Sequence, residues 1–406
     1  MKKIIFISPV TYFPDYSGNS SRVKQLMSAF YDASDNVEIH FVLCPFKKFE
    51  SGYTGEFPDD IINKIVLNEG KAYKLTWRQY LLEHFRWNIN KYFRLSFDWL
   101  NDYMFKDGLV CNKAVRDVTQ VIDRIQPDIV VVEYAVLSKL LVNLPSNIVK
   151  VVDTHDKFSN RNKKIRLSGG LGFWMSLSEK QEATLLKRFN YVIAIQDNER
   201  NFFKSILINK NTLVITISIT RKAFDREIVV NKQDNGDFIM GFIGSNNKHN
   251  KEGLEYFIQK HWLPIISKID NVKLVIAGTV KVDEKYLAEN TIQHLGKVES
   301  LTDFYSTCSF IINPCLSGTG LKIKSVEALE FGKVLVTTLE GAEGLASIEN
   351  CGAFIHDLKD ISFANRCIEL CVDNTRLKSL EHKNMTYINE RYQDSLNEIK
   401  YILTGI

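Results

Sequence analysis

The sequence predicts an α/β protein of two doubly wound, parallel-sheet domains. Three observations predict it. Short β-branched runs alternate with helical patterns along the chain, as βαβ units require. Runs such as Ile129-Val130-Val131-Val132 are continuously apolar, which suits strands covered on both faces. The rhythm breaks once, at the polar stretch Arg221 to Asp237, and then restarts. With 406 residues, 45% of them hydrophobic and 25% charged, the chain has the length for two domains and the apolar content for two cores.

The elements follow in order. Met1-Lys2-Lys3-Ile4-Ile5-Phe6-Ile7-Ser8-Pro9 has the basic start of a signal peptide. Its apolar run is too short and polar residues follow, so it reads as a first buried strand. Further strands are expected at Val37–Cys44, Asp128–Glu133, Val149–Asp153, Tyr191–Ile195 and Leu213–Ile217. Helical patterns fall at Ser21–Ala33, Val115–Ile125 and Leu177–Arg188. After the linker, strands are expected at Phe238–Gly244, Val272–Gly278, Ile292–Gly296, Ser309–Asn313 and Val334–Thr338. Helices are expected at Glu252–Ile269, Lys322–Phe331 and Met385–Leu403. The domain plan is therefore 1–220, a linker at 221–237, a second domain at 238–385, and a C-terminal helix at 386–406 that could pack back on the first domain. Two such Rossmann-like domains would face each other across a cleft, with ligands at the C-terminal strand ends.

Composition narrows the function. A net charge of +4 is too weak to argue for nucleic acid. Seven scattered cysteines without a C-x-x-C pair favour free buried thiols. No apolar run approaches the roughly 20 residues of a membrane span. The eight histidines form no H-x-x-x-H or Cys/His cluster, so no metal site and no cofactor are expected. The first βα loop lacks G-x-G-x-x-G, which disfavours a dinucleotide-dependent dehydrogenase.

One stretch carries the most chemistry: Asn313-Pro314-Cys315-Leu316-Ser317-Gly318-Thr319-Gly320-Leu321-Lys322-Ile323-Lys324-Ser325-Val326-Glu327-Ala328-Leu329. A strand passes through a glycine turn into a helix. Such a backbone can approach a phosphate, and a helix N-terminus offers it N–H groups. Lys324 and Glu327 share a helix face. A cation and a carboxylate beside that turn suit a sugar nucleotide: charge for the diphosphate, acceptor oxygens for ribose hydroxyls. A lone G-x-G, or a lysine and a glutamate on a solvated helix face, would mean little by themselves.

Together with Gly332-Lys333-Val334-Leu335-Val336 and Gly341-Ala342-Glu343-Gly344, this stretch resembles the donor-binding signature of glycosyltransferase family 4, the retaining group of the GT-B fold. Phe242-Ile243-Gly244-Ser245 with Asn250-Lys251-Glu252-Gly253 and Trp262-Leu263-Pro264, and Asp153-Thr154-His155-Asp156, also resemble that family. The likeness is strong over about 238–345 and weaker over 1–220. Where the family often has an earlier glutamate, this chain has Thr319, which leaves the donor sugar open.

The resemblance implies a retaining transfer of a sugar from a nucleotide diphosphate sugar to a saccharide or lipid-linked saccharide acceptor, in bacterial surface polysaccharide synthesis. Glu327 would hold the ribose, and Lys324 with Lys322 the diphosphate. Gly318, Thr319, Gly320 and Leu321 would line the donor, with Gly244, Ser245, Lys251 and Val298 around it. Lys248 and Lys251 remain alternatives for a second phosphate contact. His155 would lie near the transferred sugar, and Gly18, Asn19, Glu133 and Asp156 on the acceptor side. A sugar-nucleotide 2-epimerase and a non-catalytic nucleotide-sugar-binding partner are the rival readings.

Residues 71–106 interleave eleven aromatic residues with seven basic and three acidic ones, a net of +4. This suits an anionic membrane surface or a lipid-linked acceptor; a helical insertion with buried rings and solvated cations is the plainer use of the same residues. The expected location is cytoplasmic, peripheral on the inner face of the cell membrane.

Overall fold

The computed structural model describes all residues except 15–17, 48, 75–76, 78–79, 83, 86–87, 90–109, 164–174, 208–210, 225–236, 288–289, 318–320 and 406. Two compact units divide the chain. One comprises Met1–Thr220 with Ser395–Ile406, and the other comprises Arg221–Asp394.

The first unit holds a seven-stranded, wholly parallel sheet in the order β3-β2-β1-β4-β5-β6-β7. Its strands are β1 (Lys2–Ser8), β2 (Val37–Leu43), β3 (Asn63–Val66), β4 (Ile129–Glu133), β5 (Val149–Asp153), β6 (Tyr191–Ala194) and β7 (Leu213–Thr216). Ile4 to Ile7 and Ile129 to Val132 are fully buried, as unbroken apolar runs covered on both faces must be. Helix α1 (Gly18–Asp32) follows β1, and α2 (Asn112–Ile125) precedes β4. Ala114, Val115, Val118, Val121, Ile122 and Ile125 bury one stripe of α2, at the three-to-four spacing of an amphipathic helix. It ends at Gln126, whose left-handed φ of 54° lets its N–H close on Ile122 O. Helix α3 (Glu179–Leu186) starts at Ser178, which accepts from Gln181 N. Helix α4 (Asp197–Ile206) lies between β6 and β7.

The second unit holds a six-stranded parallel sheet in the order β10-β9-β8-β11-β12-β13. Its strands are β8 (Phe238–Ile243), β9 (Val272–Ala277), β10 (Ile292–Gly296), β11 (Phe310–Asn313), β12 (Leu335–Thr337) and β13 (Ala353–Ile355). Helix α5 (Lys248–Phe257) is capped by Asn247, which accepts from Asn250 N, and runs on through a π turn at Ile258–Trp262. Helices α6 (Leu301–Thr307) and α7 (Ile323–Glu330) flank β11, and α8 (Ser362–Val372) precedes α9 (Asn374–Thr404). The last helix begins at Asn374, earlier than the 385 its pattern suggests. Asn384, just ahead of that pattern, ties this earlier part to the sheet: Nδ2 donates to Lys333 O at 2.8 Å, Oδ1 accepts from Gly352 N, and the side chain is wholly buried.

Arg221–Phe224, expected as the start of a linker, is tied into this second unit. Arg221 pairs with the buried Glu330, and Phe224 stacks on Phe331 at 3.9 Å. The remainder of the expected linker, and most of 71–106, lie outside the described residues. All seven cysteines are free, six of them buried. Among the described residues no helix is long and apolar enough to cross a membrane.

Candidate functional site

In each sheet the chain reverses its winding direction at one pair of neighbouring strands, and loops diverge there to leave room for a ligand. That pair is β8 and β11 in the second unit and β1 and β4 in the first. Some of the residues singled out by sequence lie near these two places.

In the second unit, β11 ends at Asn313 and the chain enters α7 through Cys315–Lys322. Asn313 is 1% exposed; its Nδ2 donates to Ser325 Oγ at 2.8 Å, and its Oδ1 finds no partner among the described residues. Ser325 Oγ donates to Gly341 O at 2.7 Å, and Thr337 Oγ1 donates to Asn313 O at 2.9 Å. A Cβ at Gly341 would stand 2.1 Å from Thr337 Oγ1 and 2.8 Å from Asn313 O, so only glycine fits this corner. Gly318, Thr319 and Gly320 lie outside the described residues; Leu321 and then Lys322, the N-cap, precede α7.

Lys324 is the second residue of α7. Its Nζ donates to Asn250 Oδ1 at 2.6 Å and lies 4.5 Å from the centre of the Phe242 ring. Desolvation lowers its pKa to about 8, with Lys322 nearby adding to the effect. Lys322 reaches Glu343 at 3.4 Å. Glu327, one turn on from Lys324, accepts from the buried Tyr305 hydroxyl at 3.4 Å. Lys324 and Glu327 thus stand at the same end of the sheet, one toward α5 and the other toward α6.

Other expected donor residues fall differently. Gly244, expected as a phosphate cradle, already gives its N–H to Ala277 O at 3.1 Å. Its missing side chain is what matters: a Cβ there would stand 2.9 Å from Asn250 Nδ2. Ser245 O accepts that Nδ2 at 2.9 Å. Lys248 and Lys251 run along α5 to Glu252 and Glu255, at 3.6 and 3.7 Å. The α5 residue that meets Lys324 is Asn250, and the sequence does not single it out because an asparagine at a helix start is ordinarily a cap. Val298 follows β10, the edge strand, two strands away from β8.

In the first unit, Glu133 ends β4, Asp153 ends β5, and both are fully buried. His155 Nε2 is bonded to Glu133 Oε2 and lies 3.7 Å from Asp153 Oδ2. Arg22 from α1 grips Asp153 with two bonds, Nε to Oδ2 at 2.9 Å and Nη2 to Oδ1 at 3.1 Å. Burial by itself would raise the Asp153 carboxyl; Arg22 and His155 outweigh it and hold the pKa below the ordinary carboxylate value. Burial prevails at Glu133, whose pKa is raised, and its Oε1 finds no partner among the described residues.

Tyr134 stacks on the His155 ring at 4.2 Å and 12°. Both residues have left-handed backbones, φ 71° for Tyr134 and 57° for His155. Bulky residues held in that region at neighbouring strand ends are a mark of functional sites. Asp156 pairs outward with Arg161 at 2.8 Å. Gly18 and Asn19 open α1, with Gly18 half-buried and Asn19 exposed.

One ligand atom each from Glu133, Asp153 and His155 lies within 4.8 Å of the others. Arg22 covers both oxygens of Asp153 and Glu133 holds His155 Nε2, so a cation would have to displace a partner already in place. Arg22 and Tyr134 do not stand out in the sequence because their partners lie on other elements.

Two parallel sheets with flanking helices, each with its polar cluster at the carboxyl strand ends, form the GT-B architecture, and residues 237–373 match the family model of the glycosyl transferases group 1. The chain carries a domain of that group. A Klebsiella pneumoniae relative, an uncharacterized 44.6 kDa protein in the cps region, is 26% identical over 155 residues. The match spans 36% of this chain and 39% of that protein. Among solved structures, Anabaena Alr3699/HepE in complex with UDP superposes with a TM-score of 0.63 at 14% identity, over 100% of both chains. Staphylococcus aureus TarM in complex with fondaparinux, alpha-GlcNAc-glycerol and UDP superposes with a TM-score of 0.66 at 14% identity, over 100% of this chain and 99% of that one. At these identities the likeness shows the fold.

Proposed function

We propose that the protein is a retaining glycosyltransferase that moves a sugar from a nucleotide diphosphate sugar to an acceptor hydroxyl in the synthesis of a bacterial surface polysaccharide. The observation that carries the reading is Lys324: a partly desolvated ammonium at the strand-end switch of the second unit, beside a helix N-terminus and within a turn of Glu327. HepE has been solved with UDP and with UDP-glucose, which supports a nucleotide-sugar donor for this fold. The Klebsiella relative from a cps region supports the polysaccharide setting.

In the proposed reaction the bond from the anomeric carbon to the diphosphate oxygen breaks, and a bond to the acceptor oxygen forms on the same face. The leaving phosphate oxygen takes the acceptor proton. Lys324 and Lys322 stabilise the departing negative charge. Glu327 accepts from the ribose hydroxyls, and Gly318, Thr319, Gly320 and Leu321 line the donor. His155, with Glu133, Asp156, Gly18 and Asn19, serves the acceptor side. The two lysines and the α7 N-terminus do the work a divalent ion would otherwise do, so activity should survive chelation by EDTA.

The acceptor is proposed to be a saccharide or lipid-linked saccharide. The enzyme would work in the cytoplasm at the inner membrane face, reached through residues 71–106. Equal sedimentation with neutral and anionic vesicles would remove that last element.

A thermal-shift panel of nucleoside diphosphates and sugar nucleotides tests the whole reading; stabilisation by none of them would end it. Product analysis with donor alone separates transfer from 2-epimerisation, since an epimerase needs no acceptor.

A further inference from the structure

Besides the Phe242 ring, the side chain that meets the Lys324 ammonium is a neutral amide, Asn250. Asn250 stands between two groups that fix its orientation. The Lys324 ammonium can only donate and so must meet Oδ1 (2.6 Å); the Ser245 carbonyl can only accept and so must meet Nδ2 (2.9 Å). The backbone is shaped to admit this amide, since a Cβ on Gly244 would stand 2.9 Å from Nδ2. Asn250 does not use its side chain as the helix cap; Asn247 does that, accepting from Asn250 N.

We propose that Asn250 is a positioning residue for the donor diphosphate: it fixes the Lys324 ammonium at the β8–β11 switch while adding no negative charge, so the cation stays available to the incoming phosphates. This rests on the donor-site reading above. A carboxylate at 250 would have nearly the same shape and would hold the lysine more strongly. It would also neutralise the lysine, and the diphosphate would then have to displace an internal ion pair. The groups facing the ammonium are Phe242 from β8, Asn250 from α5, Cys315 from the loop after β11, and Lys322 from the start of its own helix. Among the described residues none of these is a carboxylate, whereas Lys322 faces Glu343, and Lys248 and Lys251 face Glu252 and Glu255.

The test is calorimetric titration of the full chain with UDP, GDP and ADP between pH 6.5 and 9.5. Wild type and Asn250→Asp are compared, with the unliganded melting midpoint of each recorded. Wild-type affinity should fall as pH rises through about 8, where Lys324 loses its proton. Asn250→Asp should keep or raise the unliganded midpoint and bind about tenfold or more weakly at pH 7. Its falling limb should move to higher pH, because the new carboxylate favours the charged lysine. A purely structural role for Asn250 would leave that limb where it is.

Wild type that binds a nucleoside diphosphate while Asn250→Asp binds it equally, with the same limb, overturns the inference and leaves the donor site standing. Wild type that binds none of the three overturns both. If Asn250→Asp does not fold, Asn250→Ala decides the matter: binding several-fold weaker with the limb moved to lower pH, because the ammonium loses its acceptor, supports the role, and unchanged affinity or an unmoved limb refutes it.

Discussion

Replacing Arg22 by Met should cost the first unit stability in a way that reverses its response to acid. Asp153 is fully buried and Arg22 holds both of its oxygens, at 2.9 and 3.1 Å. Removing the guanidinium leaves a buried carboxylate whose remaining ion-pair partner among the described residues is His155, at 3.7 Å. Breaking a buried pair from one side costs roughly 3–5 kcal/mol.

The sign follows from the direction of the shift. In the wild type the folded-state pKa of Asp153 is depressed. Its contribution is therefore present above the unfolded pKa of about 3.9 and is lost as pH falls through the folded value. Without Arg22, burial dominates and the folded pKa moves above the unfolded one. Between those two values the variant then gains stability as pH falls, where the wild type gains none from this group.

The assay is hydrogen exchange of peptides covering 129–133 and 149–153, compared at pH 5 and pH 7 after correction for intrinsic rates. It reports on the first unit alone, which a single melting curve of a two-unit chain does not. A second change, Asp153→Asn, should recover about half of the loss, since it removes the orphan charge and leaves an amide to satisfy. The reasoning fails if Arg22→Met costs less than about 1 kcal/mol, or if its pH response parallels that of the wild type.

Three further outcomes are expected. Lys324→Ala should lower transfer by about a hundredfold or more at saturating acceptor, from loss of charge stabilisation at the leaving phosphate, with an unchanged melting profile; steady-state kinetics checks it. Gly341→Ala should destabilise the second unit by roughly 2–4 kcal/mol, because the new Cβ meets Thr337 Oγ1 at 2.1 Å and the Asn313 carbonyl at 2.8 Å, with little room to give; urea denaturation reads it. Asn384→Ala should cost about 2–3 kcal/mol by stripping partners from Lys333 O and Gly352 N, visible as faster exchange around β12 and β13.

The sequence is most legible where burial is continuous. β1, β4 and β11 are built on unbroken apolar runs, so their positions and the α/β class can be read directly. β3 and β13 escape such a reading: they are three or four residues long and largely half-buried, so no apolar alternation marks them. Helix α8 escapes it because its pattern merges with the long helix that follows. The donor motif is legible as a local string, from Asn313 to Glu327. Its partner Asn250 lies 74 positions from Lys324, and Arg22 lies 131 from Asp153; such pairings are set by topology, which one sequence without its fold does not display. Gly244 shows the reverse case: the residue stands out in the sequence, and only the packing of Asn250 against it shows why glycine is there.

The last helix carries a consequence for how the chain is made. Ile399 is wholly buried, Tyr401 packs edge-on against Tyr191 of β6 at 5.9 Å, and Lys2 at the start of β1 is bonded to Leu403 O. The first unit therefore lacks one wall until Ser395–Ile406 have been synthesised. All of Arg221–Asp394 is translated in between, which at about 5–20 residues per second leaves the nascent sheet waiting for roughly ten to thirty seconds. During that interval the β6 side chain meant for Tyr401 has no cover, and a holding chaperone or the ribosome surface would find it there.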